Sequence, residues 1–292
     1  MKSRVVHYYS EGSKIEADYY LPDDLKAGDK RPAIILAHGY TGIRNLILPD
    51  YAKYFTAAGY VCIGFDYRGF GGSEGEKWRL IQLEQVDDVR NTITWLENQP
   101  EVDPQRIGLW GTSNGGAHAP YVAAVDARIK AAVGQVGYGD GRRLIMDIRT
   151  PEQRKEVERR IAEDRRARVL TGKGTAADTA TVLASPQTQE FFKEALKQIP
   201  DFYCEVNWES PEKTLEYRPI DVVDKISPRA LMLIAAEKDD LCQAAGYKEL
   251  YDRAKEPKRI EILPITHYQI YQPEWVDRSA KLALEWWDKY LK

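Results

Sequence analysis

Gly111-Thr112-Ser113-Asn114-Gly115 decides how the rest of this chain is read. Before it lies Arg106-Ile107-Gly108-Leu109-Trp110, short and mostly apolar, preceded by Pro104. After it, Gly116 to Val125 is rich in alanine and reads as a helix. A G-x-S-x-G run between a strand and a helix puts the serine on a sharp, strained turn that lifts its hydroxyl above the sheet. Both flanking glycines are needed because side chains there would collide with the neighbouring strand and helix. The motif alone is modest, since about 0.1 matches arise by chance in a chain of this length. The strand–turn–helix setting gives it weight.

Working outward, residues 3–21 read as two strands around Glu11-Gly12-Ser13, the second half-exposed by its alternation. Pro32 to Ala37 is a continuous apolar run, as expected of a strand buried on both faces. A helix over 46–58 stopped by Gly59, a buried strand from Tyr60 to Phe65 and an amphipathic helix over 82–98 follow. A strand at Ile129–Val136 comes after the helix that follows Ser113. This alternation predicts an α/β fold, a mostly parallel, doubly wound sheet with helices on both faces. The rhythm breaks between about 138 and 218. That stretch holds a helix dense in Arg and Glu (Glu152–Val169), read as a solvated face, the Ala/Thr-rich Gly172–Ala184 and a helical segment at 187–198. No composition shift marks an independent domain, so residues 1–137 and 219–292 are expected to form the core, with 138–218 inserted as a helical cap. The strand–helix rhythm resumes with strands at Arg229–Ala236 and Arg259–Leu263 and helices at 243–254 and Trp275–Leu291.

Composition excludes several classes. With 292 residues, 43% apolar and 30% charged, the chain suits one large domain, or one domain with an insertion. A net charge of −3 argues against a nucleic-acid or acidic-membrane partner. The N-terminus lacks an apolar signal region, and no run approaches a membrane span. Cys62, Cys204 and Cys242 show no zinc spacing and read as buried thiols of a reducing compartment, so a cytoplasmic protein is expected. The scattered histidines form no metal cluster, and no cofactor is expected. Gly69-Phe70-Gly71 and Gly137-Tyr138-Gly139 follow strands but fail to complete a dinucleotide fingerprint. Asp66 and Arg68 are read as fixing their loop.

A serine hydroxyl is a poor nucleophile and needs a base, itself oriented by a third group. His7 lies on an edge strand, His38 ends an early strand, and His118 points off the face of Ser113. His267 follows the last strand, in a loop opening at the carboxyl ends of the parallel strands, where Ser113 also emerges. His267 is therefore the expected base. The acid should follow a strand between Ser113 and His267. Asp239 is the first choice and Asp240 the second, one residue of loop register apart. The backbone N–H groups of Asn114 and Tyr40 are the expected oxyanion donors.

These pieces resemble the α/β-hydrolase superfamily, and within it the dienelactone-hydrolase and prolyl-oligopeptidase-like (S9/S15-type) serine hydrolases. The resemblance rests on His38-Gly39-Tyr40-Thr41-Gly42, Phe65-Asp66-Tyr67-Arg68-Gly69-Phe70-Gly71-Gly72-Ser73, Gly111–Gly115, the loop at Ala236–Asp239 and His267, in that order. It implies a triad of Ser113, Asp239 and His267. Dienelactone hydrolase proper carries a cysteine at the nucleophile position, and dehalogenases and epoxide hydrolases of this fold an aspartate. Ser113 favours ester, thioester or amide chemistry. The expected substrate is a small or medium-sized ester, with amide cleavage, acyl transfer and a non-catalytic ligand-binding fold as alternatives. Tyr138, Phe202, Tyr203, Trp208, Tyr268 and Tyr271 are candidate pocket walls. Length and strand count permit a monomer; the resemblance leaves a homodimer open.

Overall fold

The computed structural model describes residues 1–198 and 205–292. Its main sheet contains β1 (Lys2–Ser10), β2 (Ser13–Leu21), β3 (Arg31–Ala37), β4 (Val61–Phe65), β5 (Val102–Thr112), β6 (Ile129–Gln135), β9 (Ala230–Ala236) and β10 (Lys258–Leu263). The two strands numbered between β6 and β9, β7 (Ala176–Asp178) and β8 (Glu205–Asn207), pair with each other in a separate antiparallel ribbon. Strand order in the main sheet is β1-β2-β4-β3-β5-β6-β9-β10. The strands from β4 to β10 run parallel, while β1 and β2 form an antiparallel hairpin on one edge.

Alternation along the buried strands explains the double winding. In β3, Ala33, Ile35 and Ala37 face one core, and Ile34 and Leu36 face the other. On the first side lie α2 (Gln82–Glu97), α3 (Asn114–Val125) and α9 (Ala244–Arg253); on the second lie α1 (Leu48–Ala57) and α10 (Pro273–Tyr290). Both faces must therefore be apolar, which is why these strands read as unbroken hydrophobic runs. Trp110 and Trp287 are fully buried in the second core, with Tyr51 4.2 Å from Trp110 and Phe55 4.8 Å from Trp287, ring centre to ring centre. Each such side chain contributes about 1.5–3 kcal/mol by leaving water. β5 starts earlier than the apolar run suggests, at Val102; its pairing with β3 shifts register between Val102 and Ile107, which accommodates Pro104.

Between β6 and β9 the chain forms α4 (Gly141–Met146), α5 (Pro151–Thr171), α6 (Thr179–Val182), α7 (Pro186–Gln198) and α8 (Glu209–Glu216), besides the β7–β8 ribbon. The Ala/Thr-rich stretch thus holds a strand and a turn of helix. No described strand of this segment joins the main sheet. Its apolar residues Leu144, Val157, Val206 and Trp208 continue the first core. Polar contacts also anchor it: Arg79 Nε lies 3.0 Å from Glu209, and Gln82 Nε2 donates to Thr214 at 2.6 Å. The charged helix α5 buries only Val157 and Asp164. No described helix is long and apolar enough to cross a membrane.

Candidate active site

Ser113 sits between β5 and α3 with φ 56° and ψ −117°. A non-glycine residue in this region costs on the order of 1–3 kcal/mol and persists only where its surroundings enforce it. They do so here. The Ser113 N–H donates to the Gln135 carbonyl at 2.8 Å, and its carbonyl accepts from Ala117 at 3.1 Å. A Cβ on Gly111 would stand 2.0 Å from the Gly115 carbonyl oxygen, and one on Gly115 would stand 2.2 Å from that of Ala37. The turn closes only with glycine at both positions.

His267 follows β10 and is 1% exposed. Its Nε2 lies 3.1 Å from Ser113 Oγ, and its Nδ1 lies 2.6 Å from Asp239 Oδ2. Asp239 Oδ1 accepts the backbone N–H groups of Leu241, at 2.9 Å, and Cys242, at 2.7 Å. That carboxylate can only accept, so Nδ1 carries the proton and Nε2 offers its lone pair to the serine hydroxyl. Asp240 turns elsewhere: its Oδ2 accepts from the Gln187 N–H at 3.1 Å. The turns bearing Asp239 and His267 run side by side, with Glu237 N–H to Leu263 O at 2.8 Å and Lys238 N–H to Ile265 O at 2.9 Å.

Gly39 stands against the serine. A Cβ on Gly39 would be 3.1 Å from Ser113 Cβ. The turn closes with Gly42 N–H to Gly39 O at 3.1 Å, and Thr41 takes φ 54° within it. Asn114 opens α3, where N–H groups point outward and the helix dipole favours negative charge. Its side chain is locked from behind. Tyr138 Oη donates to Asn114 Oδ1 at 2.6 Å, and Asn114 Nδ2 donates to Gln85 Oε1 at 2.8 Å. His118 Nε2 lies 3.0 Å from that same Gln85 oxygen, and His118 Nδ1 lies 2.9 Å from Tyr217 Oη. Asn114 Nδ2 also lies 3.0 Å from His118 Nε2, so the imidazole, the two amides and the Tyr217 hydroxyl form one buried polar cluster. Burial, and secondarily nearby His38, pulls His118 down to about 3, so this ring stays neutral.

A cavity of about 400 Å³ opens on Ser113 and His267. Gly39, Tyr40, Tyr268 and Tyr271 line it, with Ile43, Leu46 and Ile47 on one wall and Leu183, Phe191, Phe192 and Glu194 from the 138–218 segment on another. Of the expected wall residues, Tyr268 and Tyr271 are therefore at the cavity. Tyr138 and Trp208 are not. Tyr138 is drawn behind α3 by its bond to Asn114 and borders a different, charged hollow. Trp208 packs into the core under Arg160. Phe202 and Tyr203 lie outside the described residues. Sequence reasoning missed Phe191 and Phe192, although adjacent aromatics in an amphipathic helix were a usable signal; Gln187 carried none.

Asp66 and Arg68 spend their polar atoms on loop contacts. Asp66 accepts from the Arg44 and Gly72 N–H groups at 2.7 and 3.0 Å, and Arg68 Nε and Nη2 reach Asp88 at 2.9 and 2.7 Å. Among the described residues, the one close group of three with metal-ligating atoms is Asp239, Cys242 and His267. Its carboxylate oxygens are already engaged by Leu241, Cys242 and His267. Burial, reinforced by the two aspartates, pushes the Cys242 thiol up and keeps it protonated.

The chain as a whole is similar to proteins of one family and fold. The family model of the X-Pro dipeptidyl-peptidases (S15 family) matches residues 11–269. The chain belongs to this family. It is an α/β hydrolase of the serine hydrolase group. An uncharacterized 31.7 kDa protein from the traX-finO intergenic region of Escherichia coli is 35% identical over 98% of both chains. The polyketide transferase grgF of a Penicillium species is 28% identical over 81% of both. The crystal structure of GrgF superposes with a TM-score of 0.85 over 100% of this chain and 99% of its own, at 23% identity. The thiohydrolase aneE of Aspergillus aculeatus is 26% identical over 86% of this chain and 81% of its own.

Proposed function

We propose that this S15-family member cleaves a carboxylic ester or thioester of a small or medium-sized acyl group through an acyl-enzyme. The observation that carries the reading is the unbroken hydrogen-bonded chain from Ser113 through His267 to Asp239, opening on an apolar cavity. Ser113 Oγ attacks the carbonyl carbon while its proton passes to His267 Nε2, and Asp239 steadies the imidazolium. The backbone N–H groups of Tyr40 and Asn114 receive the oxyanion. His267 then protonates the departing alcohol or thiol, and water, deprotonated by the same nitrogen, frees the acid. The 138–218 segment acts as a cap, placing Leu183, Phe191 and Phe192 over the acyl group.

Dipeptide release of the kind an X-Pro dipeptidyl-peptidase performs needs an anchor for a free ammonium. The carboxylate lining the cavity among the described residues is that of Glu194, which is half exposed and bonded to Lys197 at 2.6 Å. This favours an uncharged acyl group. A second reading, transfer of the acyl group to an alcohol, is favoured by the relative described as a polyketide transferase, whereas the one described as a thiohydrolase supports thioester cleavage. The test is hydrolysis of p-nitrophenyl acetate, butyrate and octanoate and of butyryl and octanoyl thioesters, with and without added alcohol. Expected are turnover that favours the longer chains and, under the second reading, ester product with alcohol present. No turnover of any ester or thioester would sink both.

A further inference from the structure

One helix of the 138–218 segment touches both turns that carry the candidate base and acid. The Gln187 side chain, near the start of α7, lies between them. Its Nε2 donates to the Lys238 carbonyl at 2.7 Å, and its Oε1 accepts the His267 backbone N–H at 3.0 Å. The amide cannot be flipped, because its NH2 would then face an N–H and its oxygen a carbonyl. The Gln187 backbone N–H donates to Asp240 Oδ2 at 3.1 Å. The same helix continues onto the residue after His267: Tyr268 Oη donates to Thr188 at 2.9 Å, and Phe191 stacks on the Tyr268 ring at 4.1 Å.

We propose that Gln187 is a positioning residue for Ser113, His267 and Asp239, coupling the seating of the cap to the alignment of the base. The inference rests on the serine hydrolase reading above. The imidazole works only while it spans Asp239 and Ser113. Two N–H groups of its own loop hold Asp239. The His267 main chain is held by Gln187. One amide thus sets the spacing between the residue preceding the acid and the base itself. Leu183, Phe191 and Phe192 belong to the same segment and line the acyl cavity, so an acyl group seated there bears on the helix that holds the base. Displacing a reacting group by about 1 Å costs on the order of 100-fold in rate.

The test compares wild type with Gln187→Ala and Gln187→Met on p-nitrophenyl butyrate, with Gln189→Ala as control. Gln189 is on the same helix, but its amide bonds to the Ala180 carbonyl, away from both turns. Active sites are titrated with a fluorophosphonate, so kcat is expressed per reactive serine. Expected for both Gln187 variants is a fall in kcat of about 10- to 100-fold, with KM changed less than about 2-fold. Tm should stay near wild type, and Gln189→Ala should retain wild-type kcat. Wild-type kcat per titrated site in either Gln187 variant overturns the proposal: in both, the amide is dispensable; in Gln187→Met alone, only its bulk matters. An equal loss in Gln189→Ala also overturns it. A wild type that neither labels nor turns over contradicts the hydrolase reading first, and this inference falls with it.

Discussion

Ser113 holds a backbone conformation that most residues avoid, and the groups that force it there are glycines and carbonyls legible as a motif. The same holds for His267, whose place after the last strand follows from the order of elements. Asp239 against Asp240 could not be settled by counting, because a single residue of loop register decides it. In the structure, Leu241 and Cys242 turn their N–H groups back onto Asp239, while Asp240 faces Gln187. Asp239→Asn is expected to lower kcat on an activated ester by about 1,000- to 10,000-fold, because the amide favours the wrong imidazole tautomer. Asp240→Asn should lose less than about 10-fold, since Gln187 keeps an acceptor. Steady-state kinetics on the two variants checks this. The reverse ranking would move the acid to Asp240.

At the scale of elements, the alternating strands and helices of the core were readable because strands buried on both faces are continuously apolar. The 138–218 segment was readable only as helices. The short strands β7 and β8 pair with each other across the chain, and three-residue strands leave no periodicity to detect. Tyr138 misled for a related reason. An aromatic after a strand end suits a pocket wall, but its hydroxyl finds a partner in Asn114 on the neighbouring helix. The polar cluster behind α3 has a consequence for stability. In the native protein His118 is held down to about 3, against an ordinary 6.5. Below about pH 6.5 the unfolded chain takes up a proton there that the folded chain refuses. The neutral ring's contribution is therefore complete above that pH and is lost as pH falls toward 3. This group adds at most about 1.4 kcal/mol per pH unit to the acid slope. Urea unfolding at several pH values between 7 and 4 should show a shallower slope in His118→Gln than in wild type. Equal slopes would mean that His118 titrates normally in the fold. His38, also pushed down by burial, adds to the slope of both proteins.

For the whole molecule, the sheet brings together residues 154 positions apart, Ser113 and His267, because both emerge on the carboxyl-end side of one parallel sheet, after β5 and β10, with β6 and β9 between them. The 138–218 segment shares its core with the sheet, lines the cavity and contacts the His267 main chain. The sequence could give the order of these parts but not their contacts. Cavity walls come from segments far apart in the chain, and Ile43, Leu46 and Phe191 meet only after folding. The proposed chemistry depends on the activation of Ser113 as a nucleophile by His267. It is tested most directly by treating wild type, Ser113→Ala and His267→Ala with a fluorophosphonate and locating the adduct by peptide mass spectrometry. Expected are one stoichiometric adduct on the peptide containing Ser113, none there in Ser113→Ala, and labelling slowed by about 1,000-fold or more in His267→Ala. An adduct on another residue, or undiminished labelling without His267, would contradict it.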